Sequence, residues 1–72
     1  MNLINELNEE QIRLLKEADI KVENKDYSID ECKYVVGQVM RHIMSFSKKD
    51  IRDVANKYEK VINKINFNVG GK

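Results

Sequence analysis

The chain has 72 residues, 42% hydrophobic and 35% charged, and its 13 Lys and Arg against 12 Asp and Glu leave a formal charge of +1. A chain of this size buries only about 60% of the surface it exposes when unfolded, which supports one small domain and disfavours an enclosed catalytic cavity. A single Cys rules out an intramolecular disulfide and a multi-cysteine zinc cluster, and no apolar run approaches the roughly 18 residues of a membrane span. Met1-Asn2-Leu3-Ile4-Asn5-Glu6 also lacks the charged start and apolar run of a secretory signal, so a soluble protein of the reducing cytoplasm is expected.

Three helices are announced by one local device, in which a side chain caps free amides and two apolar residues clamp the chain entry. In Leu7-Asn8-Glu9-Glu10-Gln11-Ile12, Asn8 is the N-cap, Gln11 reaches back to its amide, and Leu7 staples onto Ile12. This predicts a first helix over about 8–18, with Ile12, Leu15 and Ala18 on its apolar side and Leu14 on the side shared by Leu7. Residues 1–6 read as an N-terminal extension, although Leu3, Leu7 and Leu14 share a side. Residues 19–27 read as a loop pinned by Ile20 and Val22, with Asn24 and Asp26 as turn formers.

Ser28 and Glu31 form the second capping box, with Tyr27 and Cys32 at the staple positions. The second helix, about 29–45, carries Ile29, Cys32, Val36, Val39 and Ile43 as a seam, and Val35, Met40, Met44 and Phe46 widen its apolar arc to roughly 180°. So wide an arc places this helix at the centre, flanked by the other two. After Ser45-Phe46-Ser47, Ser47 and Asp50 begin a third helix over about 48–65. Its stripe is Ile51, Val54, Tyr58, Val61 and Ile65, widened by Ala55 and Ile62. Residues 66–72 lose the periodicity, end in glycines, and are expected to fray. The expected fold is an all-α, three-helix bundle in a single domain spanning 1–72, with the second helix central.

Set side by side, Leu7-Asn8-Glu9-Glu10-Gln11-Ile12, Glu23-Asn24-Lys25-Asp26-Tyr27-Ser28, His42-Ile43-Met44-Ser45 and the Tyr58 to Ile65 stripe resemble a group of small helical proteins from low-GC Gram-positive bacteria. The resemblance covers about residues 7–65 and implies no activity to carry over.

The chemistry-bearing residues do not assemble a reaction centre. Cys32 and His42 lie ten residues apart on one helix and point about 80° from each other, so they do not chelate one ion. Cys32 reads as a small buried hydrophobe and His42 as a surface residue or one bonded locally. Adjacent carboxylates such as Glu9 and Glu10 diverge by about 100° and read as helix-start charges. Residues 24–30 lack the Gly and terminal Glu of a calcium loop, and Gly37 and Gly70-Gly71 form no phosphate loop. No catalytic residue, metal or cofactor is assigned.

Two surfaces remain. Gly37 sits beside Met40 and Met44 at one margin of the wide arc, with Tyr34 on the polar side. These four are the candidate partner-binding residues for a protein partner or a second copy, against the alternative that Gly37 admits a neighbouring helix and the methionines fill core gaps. Residues 47–72 carry seven bases and three acids, against four bases and nine acids in 1–31. Arg52, Lys57, Lys60 and Lys64 are therefore the candidate residues of an alternative nucleic-acid face, and the opposing view is that the two oppositely charged regions complement each other. A non-enzymatic interaction module is the favoured reading, with a nucleic-acid-associated regulator second.

Overall fold

The computed structural model describes residues 1–70, the last three by backbone alone. Among the described residues the chain is all-helical: α1 (Leu3–Glu6), α2 (Glu9–Glu17), α3 (Ile29–Met44) and α4 (Lys48–Gly70). None of these helices is long and apolar enough to cross a membrane.

The first two capping devices form as their sequences dictate. Asn8 Oδ1 accepts from the Gln11 amide at 2.8 Å while Gln11 Oε1 accepts from the Asn8 amide at 3.0 Å. Ser28 and Glu31 make the same reciprocal pair at 3.1 and 2.9 Å. The third start differs, because the Ser47 hydroxyl donates to the Asp50 carboxylate at 3.2 Å. Aspartate is one methylene shorter than the Glu or Gln that closes a capping box, and here it holds the hydroxyl instead.

Glu31 also receives the Lys25 ammonium, and this bond, followed by the Ser28 amide, lowers its pKa to about 2. A depressed carboxylate stabilises the fold fully above its ordinary titration range, and that contribution is lost as the pH falls from about 4 toward 2. Lys25→Gln should therefore raise the Glu31 pKa in an NMR titration; an unchanged value would show that the pair is not populated in solution.

The end of α2 is set by a turn without glycine. Asp19 adopts φ 61°, its amide bonds to the Lys16 carbonyl at 2.9 Å, and the Ile20 amide bonds to the Leu15 carbonyl at 2.9 Å. This is the Schellman pattern, and the apolar contact that accompanies it is supplied by Ile20 and Leu15, both buried. Aspartate tolerates the left-handed region better than most side chains but still carries a steric cost there. Asp19→Gly is expected to stabilise the protein by about 0.5 kcal/mol, the steric relief exceeding the extra freedom gained by the unfolded chain. A lowered urea midpoint would assign the turn to the carboxylate rather than to the backbone.

Residues 1–6, read from the sequence as an N-terminal extension ahead of the helix start at Asn8, carry a short helix of their own over Leu3–Glu6. Asn2 caps α1 by accepting from the Ile4 amide at 3.0 Å, and Leu7 is extended. The chain start lies along the segment before α3. The Met1 ammonium bonds to Asp26 and donates to the Tyr27 carbonyl at 3.1 Å, and the Tyr27 amide returns a bond to the Met1 carbonyl at 2.7 Å. Leu3 and Leu7 consequently join the core with Leu15, Ile20, Tyr27, Cys32, Val35, Val39, Ile43, Tyr58, Val61 and Ile65.

The connection of residues 45–47 folds α4 back along α3, and this pair forms the largest helix contact. The second contact of note is between α2 and α4. The shared partner is thus α4, the third predicted helix, whereas the wide arc of α3 pointed to the second. The width of that arc has another cause: Met40 and Met44 are 47% and 67% exposed and belong to no inter-helix seam. The predicted fraying after residue 65 also gives way to continued helix through Gly70, while Gly71 and Lys72 lie outside the described residues. Extending an existing helix adds one hydrogen bond for each residue fixed, so polar composition alone does not stop it.

Candidate interaction surface

Along α3 the buried residues are Cys32, Val35, Val39 and Ile43, and along α4 they are Tyr58, Val61 and Ile65. Toward the turn that joins the two helices, these stripes leave an apolar margin on each. Met40 and Met44 flank Ile43 on α3, and half-buried Ile51, Ala55 and Ile62 lie beside the α4 stripe. Between them runs an open cleft with room for about 490 Å³, its floor and walls formed by these six apolar residues. Arg52, Asn56, Glu59 and Asn63 give it a polar rim on the α4 side.

Of the four candidate partner-binding residues, Met40 and Met44 line this cleft, whereas Tyr34 and Gly37 line a separate shallow depression with Lys33, Gln38 and Arg41. The helical repeat accounts for the division, since Tyr34 points about 120° away from Met40. A Cβ built at Gly37 would meet no atom within 4 Å, so Gly37 admits no neighbouring helix within this chain. Its cost of about 1 kcal/mol relative to Ala is not offset by close packing there. The exposure of Met40 and Met44 likewise separates them from the core-filling alternative.

The sequence reading missed the α4 wall of the cleft. Its signal is present in Ala55 and Ile62, which broaden the third stripe on the side that does not face Lys57 and Lys60, but a widened stripe looks the same in sequence whether it is packed or open.

The four basic residues do not form one face. Arg52 lies on the cleft rim and points about 140° from Lys57. Lys57 approaches the Glu17 carboxylate of α2 at 3.3 Å, Lys60 lines a depression with Glu10, Gln11 and Leu14, and Lys64 is half-buried. The Lys57 contact is a direct instance of charge complementarity between the acidic and basic regions. Both partners are half-exposed, so a pair of this kind contributes at most about 1 kcal/mol.

His42 packs edge-on against Phe46 at 5.1 Å and against Tyr58 at 5.5 Å between ring centroids. It lies at the boundary between the turn and α4, on the opposite margin of α3 from Met40 and Met44. Cys32 is buried, and burial pushes its thiol pKa upward, away from the reactive thiolate. Among the described residues no three His, Cys, Asp or Glu side chains are grouped to hold a metal ion. Comparison with known proteins found no matching family, no matching curated protein and no matching solved structure, so the functional argument rests on the geometry of the cleft itself.

Proposed function

We propose that this chain is a small, non-enzymatic interaction module that receives an apolar protein surface in the cleft between α3 and α4. The observation that carries this reading is the pair Met40 and Met44, exposed side by side at the edge of an apolar cleft that Ile43, Ile51, Ala55 and Ile62 continue. Methionine is flexible and polarizable, which suits a surface that must fit an incoming side-chain array. The polar rim supplies the boundary that confines an apolar contact. Gly37 and Tyr34 line a separate depression of α3 and lie outside the contact proposed for the cleft.

Substitution of the more exposed methionine tests this directly. Met44→Lys should leave helical circular dichroism and the thermal midpoint close to those of the parent, because the lysine ammonium reaches water. It should abolish association through the cleft and binding of the apolar dye 8-anilinonaphthalene-1-sulfonate by the dilute monomer. A grossly unfolded variant would show that Met44 is a core residue and overturn the reading.

The nucleic-acid alternative draws on Lys57, Lys60 and Lys64, which lie within about 60° of one another around α4. Glu17 and Glu10 beside them oppose a phosphate backbone. Salt separates the two readings: binding to phosphates weakens steeply as salt rises, whereas apolar docking does not.

A further inference from the structure

We infer that the occupant of the cleft is a second copy of this chain, related by a two-fold axis that crosses α4 between Ala55 and Asn56. This inference rests on the interaction-module reading above and adds the identity of the partner. Its basis is the charge pattern of the rim. Arg52 and Glu59 both line the cleft, seven residues apart on nearly the same side of α4 and about 10 Å apart along its axis. Among the described residues neither has an ion-pair partner within the chain.

A two-fold interface brings one patch against its own copy, so the patch must be self-complementary. Antiparallel pairing of α4 with its copy sets Arg52 opposite the partner's Glu59 and Glu59 opposite the partner's Arg52, closing two ion pairs at once. Parallel pairing would oppose like charges at both positions. The short Ala55 side chain lies at the crossing point, where the helices must come closest, and Met40 and Met44 of each copy then cover the apolar wall of the other. A formal charge of +1 leaves little long-range repulsion between copies.

Charge reversal on the full chain tests the pairing, with sedimentation velocity from micromolar to millimolar concentration as the readout. The parent should dimerise. Arg52→Glu and Glu59→Arg should each weaken the dimer by about 10- to 100-fold, because each opposes like charges at two symmetric places. Circular dichroism should show both variants folded, since both positions are exposed. The double variant, and an equimolar mixture of the two single variants, should each recover dimerisation. Single variants that dimerise like the parent, or a double variant that stays monomeric, would overturn this pairing. A monomeric parent would overturn the second-copy proposal. In that case, dye binding that is lost in Met44→Lys leaves the interaction-module reading standing with a different occupant, and absence of dye binding removes that reading too.

Discussion

Leu3→Ala should destabilise the protein by about 3 kcal/mol, a large part of the total for a chain of this length. Leu3 is fully buried although it lies three residues from the start of the sequence. Truncating a buried leucine removes its transfer free energy and leaves a cavity, which together cost about 2–5 kcal/mol. Domains of this size are stabilised by only about 4–10 kcal/mol in all. Ile4 provides the internal control, since it occupies the same short helix but is 37% exposed. Ile4→Ala should cost less than about 1 kcal/mol in the same urea titration. Equal losses at the two positions would show that the N-terminal segment does not dock on the core as the backbone bonds between Met1 and Tyr27 require.

This N-terminal segment also shows where sequence reasoning reaches its limit. The starts of α2 and α3 were legible because a capping box is a local event, complete within four residues. The Leu3 position was only half legible. Its periodicity with Leu7 and Leu14 was visible, but whether residues 1–6 continue a helix or form a separate turn depends on the long-range bonds to Asp26 and Tyr27. The identity of the shared helix was hidden for a related reason. An apolar arc records which directions around a helix carry apolar side chains, not which of them a neighbouring helix covers. For α3 the arc included Met40 and Met44, which α4 leaves exposed, and so its width overstated the number of neighbours. Half of the candidate cleft was therefore readable, as the α3 margin, while the α4 wall of Ile51, Ala55 and Ile62 was indistinguishable from core. The tight turn at Asp19 left a weaker trace still, because an aspartate there is as common in an open loop as in a left-handed cap.

Tyr58 gives the second large effect and separates packing from hydrogen bonding at the junction between α2 and α4. Its side chain is almost fully buried, and its hydroxyl donates to the Leu14 carbonyl at 2.8 Å. Burial pushes the phenol pKa upward, so the neutral donor persists well into alkaline solution. Tyr58→Ala removes a ring that packs in the core and against His42, and should cost about 4 kcal/mol. Tyr58→Phe keeps the ring and removes only the donor. The Leu14 carbonyl still accepts from the Ala18 amide at 3.2 Å, so it is not left without a partner, and the cost should be near 1 kcal/mol. The two variants should also differ in where they act. Tyr58→Phe should loosen the end of α2, seen as faster hydrogen exchange at Ala18 and Ile20, while Tyr58→Ala should accelerate exchange throughout α3 and α4. If Tyr58→Phe proved as damaging as Tyr58→Ala, the bond to Leu14 would be the principal tie between α2 and the other helices. If Tyr58→Phe proved neutral, the ring alone would hold this junction and the hydroxyl would merely exchange one bond with water for another.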